Sequence, residues 1–215
     1  MTLQEIREHF QWLVDDDTLD EDRETALANI AYDELNAERS WRYLDSSDTS
    51  DTVLSSTLTY ALPTDFLQSV KVVLFDGSKT YVDFAPVPYR ERLNFKNAGR
   101  YYYVDQKNGN LVFLSQDTLT AYVGWTIVHE YQYQPAQLSS STDEPVFNRA
   151  FHAILAYQMA KHYFFNDQGE KARAWNSEFQ AEISSLRAKM IAWDAATDFS
   201  VNPTLNSVSA FDSVL

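Results

Sequence analysis

The stretch from Asp143 to Ala196 most constrains this chain, because it reads as two long helices joined by the turn Asn166-Asp167-Gln168-Gly169. Its second arm carries Ala172, Trp175, Phe179, Ile183, Leu186, Met190 and Trp193 at steps of three and four. That spacing keeps one apolar stripe on one face of a 3.6-residue helix, with a polar face opposite. The first arm is expected to start near Thr142 and Asp143, which can cap free amides, with Pro145 in the first turn. From Val146 to Phe165 its apolar residues fall nearly all round the helix, so it should be contacted on more than one side.

A second helical pair is expected at the other end. Thr2 and Glu5 match a capping box, and Leu3, Ile6, Phe10, Leu13 and Val14 form one stripe. Asp15-Asp16-Asp17 should end that helix, and a new start at Thr18 or Asp20 should run on through Leu27, Ile30, Ala31 and Leu35 towards Trp41 and Leu44. Between the two pairs the apolar period becomes two. Asp45 to Ser56 reads as a surface loop, Leu58 to Leu62 as a strand, Gln68 to Phe75 and Lys79 to Phe84 as paired strands, and Tyr89 to Leu93 as a short helical turn. Asn108-Gly109 marks a hairpin between 100–105 and 111–114, and Thr118 to Val128 reads as the best alternating strand. The fold class is therefore α+β: a bundle of N- and C-terminal helical hairpins (2–44 and 143–196) with an inserted antiparallel β region (57–134), forming one domain over 1–196, followed by an extended C-terminal tail over 197–215.

That tail holds Phe199, Val201, Leu205, Val208, Phe211, Val214 and Leu215 without a helical stripe or any Lys or Arg. Such a peptide can add to a sheet edge or lie in a groove of another chain, so these seven residues are the candidate docking set.

Charge is lopsided. The net charge is -14, and residues 1–51 hold 15 of the 31 acids and 4 of the 17 bases. Asp15, Asp16, Asp17, Asp20, Glu21 and Asp22 form the densest run, the candidate surface for a channel or a partner. Their spacing, without a glycine at the sharp-turn position, is not that of a calcium loop. So acidic a chain is unsuited to reading nucleic-acid sequence, although a negative wall repels a moving polyanion and prevents it from sticking.

Five glycines in no GxGxxG or phosphate-loop arrangement, four histidines without HExxH spacing, and the absence of cysteine give no nucleotide, metal or disulfide motif. No cofactor, metal site or catalytic residue is expected. Neither a membrane-spanning run nor a signal sequence is legible, which implies a soluble protein without a membrane partner. Tyr101-Tyr102-Tyr103 with Tyr122, Tyr131 and Tyr133 suits half-buried sheet, and alternatively a sugar-binding or interface surface.

The order of elements carries a resemblance. Thr2-Leu3-Gln4-Glu5-Ile6-Arg7, Ala28 to Leu35 with Trp41-Arg42-Tyr43-Leu44, Tyr60-Ala61-Leu62-Pro63-Thr64-Asp65-Phe66, the Asn-Gly hairpin, and Thr142-Asp143-Glu144-Pro145 leading into Phe151-His152-Ala153-Ile154-Leu155 follow one another. Over roughly residues 1–195 this resembles the head-to-tail adaptor (head completion, connector) proteins of tailed bacteriophages. The resemblance implies a non-enzymatic virion protein, assembled in the host cytoplasm. It implies a ring, typically of twelve copies, under the portal protein, with double-stranded DNA passing through the axis and tail or nozzle proteins docking below. It also implies that the C-terminal segment reaches onto the portal or a neighbouring copy. The alternatives are another tail-ring component, such as a nozzle or gatekeeper, and a carbohydrate- or receptor-binding module.

Overall fold

The computed structural model describes residues 1–16, 18–165 and 170–196, and side chains outside 165–176. The chain divides by contact into a helical unit built from 1–43 with 135–196 and a β unit spanning 44–134. The fold is mixed α+β, as expected.

In the helical unit α1 spans Leu3–Val14, and its capping box forms as read: Thr2 Oγ1 accepts from the Glu5 amide and the Glu5 carboxylate accepts from the Thr2 amide. Leu3, Ile6, Phe10 and Leu13 are buried, so the stripe is the packed face. Asp15 ends the helix in the left-handed region, at φ 56°. Helix α2, Glu21–Ala37, starts after Asp20 and stops short of the expected end. Trp41 and Tyr43 instead stack on each other, with ring centroids 5.5 Å apart, in and beside a 3-10 turn over Arg42–Leu44. Trp41 Nε1 donates to the Leu35 carbonyl and Tyr43 OH to Asn36 Oδ1, bonds that fold the segment back on α2.

The first arm of the C-terminal pair begins later than its sequence suggests. The expected helix start at Thr142–Pro145 is corrected: a 3-10 turn covers Arg149–Phe151 and α4 covers Ala153–Phe165. The Asp143 carboxylate accepts from the amides of Ser139 and Ser140, capping a turn upstream rather than a helix downstream. The Asp143 and Ser141 carbonyls accept from the amides of Leu3 and Gln4, so this stretch is engaged with the start of α1. Helix α4 buries Ile154, Leu155, Ala156, Met159 and Ala160. It contacts α1, α2 and α5, Glu170–Ala196. Phe179, Ile183 and Met190 of the expected α5 stripe are buried, and Leu186 and Trp193 are half-buried. Ala172, Trp175 and the turn 166–169 lie outside the described residues and side chains.

The β unit is a curled seven-stranded sheet in the order β1-β7-β3-β4-β5-β6-β2. The strands are β1 Asp45–Asp48, β2 Thr59–Ala61, β3 Phe66–Phe75, β4 Tyr81–Pro86, β5 Tyr101–Asp105, β6 Asn110–Phe113 and β7 Thr126–Tyr133. Two hairpins form where turn chemistry specifies them. Asp76 accepts from the amides of Ser78, Lys79 and Thr80 to close β3 on β4, and Gly109, at φ 65°, closes β5 on β6.

Two expectations fail here. Asp45–Asp48, read as loop, pairs antiparallel with β7 as an edge strand, where a polar sequence is tolerated because half its groups face water. Thr118 to Val128 is not one strand: α3 takes Gln116–Thr120, a turn follows, and β7 begins only at Thr126. Ser115 caps α3 by accepting from the Thr118 amide, and Gly124 at φ 86° breaks any ladder. Leu119 is buried at the base of the core formed by Val53, Tyr60, Leu74, Phe84 and Phe113, whereas Val123 is exposed.

Between α1 and α2 the structure contains a buried charge. Glu24 is 0% exposed and accepts from Arg7 Nε at 2.9 Å and from Gln11 Nε2 at 2.7 Å. Arg7, 13% exposed, also reaches Glu21 at 3.3 Å, and its partners hold its guanidinium above the ordinary range against the opposing effect of burial. Removing one partner leaves the other uncompensated. Arg7→Leu should therefore destabilise the chain by about 3 kcal/mol, and Arg7→Leu with Glu24→Leu should recover most of that loss. Denaturant midpoints of the single and double variants check this.

Candidate docking surfaces

Three surfaces carry the candidate residues. The first is the acidic connection between α1 and α2. Asp16 is partly engaged: Tyr163 OH donates to it at 2.7 Å, and the Thr18 amide and hydroxyl also donate, which hold its carboxyl below the ordinary range. Glu21 faces Arg7. Asp15, Asp20 and Asp22 are exposed and make no ion pair among the described residues, and Asp17 lies outside them. Beside this run, on the solvent side of α1, stands Trp12 at 76% exposure. Sequence periodicity places Trp12 off the stripe, which is the signal that it is unburied, though not that it has a partner.

The second surface lies in the β unit. Strand β4 pairs with β3 only from Tyr81 to Phe84, then leaves it to run parallel to β5 through two residue pairs, Ala85 with Tyr101 and Pro86 with Tyr102. The first half of β3 is thereby paired with β7 on one side only, with bulges at Leu67 and Val70, both exposed. Where the strands diverge a cleft of about 390 Å³ opens, lined by Ser69, Pro86, Val87, Tyr89, Tyr102 and Tyr103. Tyr102 is buried, and Tyr101 and Tyr103 are half-buried, so the tyrosine run is sheet with one face showing.

A hydrogen-bond chain crosses the floor of this cleft, from His129 Nε2 to Ser69 Oγ at 3.0 Å and on to Tyr102 OH at 3.0 Å. The tyrosine run marked Tyr102, but the Ser69–His129 pairing was not legible, because β3 and β7 bring those two together from 60 residues apart. Burial pushes His129 down to about 4 and pushes the Tyr102 hydroxyl up. At neutral pH the imidazole is therefore uncharged and a weak base, poorly matched to activating Ser69. Its fit is that of a polar strut across the divergence.

The third surface is the loop joining β4 to β5. Residues 87–100 hold Arg90, Arg92, Lys96 and Arg100 against Glu91, a net of +3 within a chain of -14. A 3-10 turn at Tyr89–Glu91 positions Arg92 over the Tyr89 ring at 3.8 Å, and Tyr89 meets Tyr103 edge-on. Among the described residues Arg90, Lys96 and Arg100 make no ion pair. Leu93 protrudes from this loop at 72% exposure.

The expected tail residues Phe199, Val201, Leu205, Val208, Phe211, Val214 and Leu215 lie outside the described residues. Among the described residues no group of His, Asp and Glu is arranged to hold a metal ion, and no helix is long and apolar enough to cross a membrane.

The family model described as SU10 adaptor protein matches residues 1–203. A comparison with curated proteins finds no match.

The buried histidine sets the acid response. Above pH 6.5 it is neutral in both folded and unfolded chains; as pH falls towards 4 the unfolded chain takes up a proton that the folded chain refuses. Stability is therefore full above pH 6.5 and declines through that window. His152 and His9, also lowered by burial, act in the same direction. Between pH 7 and 4.5 the unfolding free energy should fall, and His129→Gln should shrink the fall by about 2 kcal/mol, as read by denaturant titration at both pH values.

Proposed function

We propose, on the premise that the chain belongs to the SU10 adaptor protein family, that this phage adaptor forms a ring between portal and tail. As a phage adaptor it is a structural virion component that associates with portal and tail proteins. In the proposed ring, of twelve copies, one end meets the portal protein, tail or nozzle proteins dock on the other, and double-stranded DNA passes through the axis without sequence-specific contact.

The observation that carries this reading is the extent of the family match, which takes in both helical ends and the β unit rather than one of them. The chemistry of the surfaces agrees with it. Trp12, Leu67, Val70 and Leu93 are exposed and so are open to a partner on assembly. The exposed acids Asp15, Asp20 and Asp22 suit a wall that DNA slides past or a face that meets a basic partner. In this proposal Phe199, Val201, Leu205, Val208, Phe211, Val214 and Leu215 dock the 197–215 tail on the portal or on a neighbouring copy by strand addition or groove filling. Ordering such a tail costs about 1 to 2 kcal/mol per residue in backbone entropy. Apolar burial has to be joined by main-chain pairing to offset that cost.

Sedimentation of full-length protein and of a truncation ending at Ala196 with purified portal rings, followed by electron microscopy, tests the assignment. Binding by the full chain and its loss in the truncation is the expected result. Binding by both moves the contact to the helices or sheet. Binding by neither removes the portal-proximal position and favours a nozzle or gatekeeper place in the tail.

A further inference from the structure

The two most exposed large apolar side chains among the described residues stand in oppositely charged surroundings. Trp12 lies within residues 8–22, which contain seven acids and no Lys or Arg. Leu93 lies within residues 87–100, with four bases and one acid. Arg7 and Arg23 flank the acidic stretch, and Arg7 pairs with Glu21, but Asp15, Asp20 and Asp22 on one side and Arg90, Lys96 and Arg100 on the other make no ion pair among the described residues. A solvent-exposed tryptophan in an acidic stretch and an exposed leucine in a basic stretch each pair an apolar side chain with charge of one sign nearby in the chain, the composition of half an interface. The two stretches have opposite sign.

We propose that the Trp12 surface of one copy docks on the Leu93 surface of the next, a head-to-tail contact between copies of this chain. Two different, complementary patches on one molecule make a heterologous interface, the kind that generates rings when its rotation closes. A patch meeting its own twin would set like charges together, so the charge pattern also excludes the isologous pairing of either surface with itself. Trp12 and Leu93 supply the apolar centre. Arg90, Lys96 and Arg100 face the acids of the α1–α2 connection and fix the register. Tyr89, held under Arg92, gives the basic side a rigid floor. The contact rests on the ring reading above and assigns its subunit interface.

The chain has no cysteine, so disulfides can form only between introduced residues. Full-length Trp12→Cys and Leu93→Cys variants, both altered at exposed positions, are mixed and oxidised. The expected product is the mixed dimer, about tenfold over either homodimer at low ionic strength. It should decline to statistical proportions near 1 M salt, where the screening length falls to about 3 Å. Adding Arg90→Glu and Lys96→Glu to the Leu93→Cys chain should abolish the excess, and adding Asp20→Lys and Asp22→Lys to its Trp12→Cys partner should restore it. Statistical proportions at low salt overturn the contact, as does an excess indifferent to charge reversal or one that the second reversal fails to restore. Portal binding by the unaltered chain reads the adaptor assignment separately. A missing cross-link with intact portal binding removes this interface and leaves the adaptor.

Discussion

Helix α4 can stay dry only if other helices cover it on several sides. Its Ile154, Leu155, Ala156, Met159 and Ala160 are buried, and α1, α2 and α5 all contact it. A helix hydrophobic around most of its circumference has no stable solution alone, because each uncovered apolar face costs about 25 cal/mol per Å² left in water. The two ends of the chain are therefore recruited to the same place, although a whole β unit intervenes in sequence. Specific polar bonds fix how they meet: the Leu3 and Gln4 amides donate to the carbonyls of Asp143 and Ser141, and His152 Nε2 pairs with the Phe147 carbonyl. The Arg7–Glu24 pair adds a further link between α1 and α2, its atoms 2.9 Å apart with Glu24 fully buried, so that separating the two helices would leave a buried charge without its partner.

Elements whose information is local were legible in the sequence. The capping box of α1, the Asn-Gly hairpin, the Asp76 turn and the α5 stripe all carry their own signals; the first three form, and the stripe packs from Phe179 to Trp193. The failures share a cause. Leu119, Ala121, Val123 and Trp125 alternate as a strand does, yet Ser115 offers a cap and Gly124 a left-handed break, and these local bonds prevail over period. The upstream arm fails similarly, because the Asp143 side chain is used backward on Ser139 and Ser140. Asp45–Asp48 has no apolar alternation to see; its strand exists because β7 presents a free edge.

The candidate surfaces were half visible for a related reason. Composition exposes charge, so the acidic run at residues 15–22 could be singled out directly. A basic loop of net +3 is diluted in a chain of -14, and it comes into view only once Leu93 is found outside the core and Arg90, Lys96 and Arg100 make no ion pair among the described residues. Glu24, counted among the acids by composition, is not surface at all. The cleft and its Ser69–His129 strut depend on β3 and β7 being neighbours and on β4 leaving β3 early, facts of topology that no short window contains.

That early departure has a mechanical side. Across the line from β4 to β5 the backbone offers two residue pairs rather than a long ladder, and side chains join the two sides as well: Phe84 of β4 meets Phe113 of β6 with centroids 5.0 Å apart. Hydrogen bonds weaken steeply with misalignment, whereas aromatic pairs tolerate a range of offset and edge-on arrangements. A pull across this seam thus meets two residue pairs, while a pull across β3 and β7 meets eight. The sheet therefore has a line of sparse backbone pairing set beside its longest ladder.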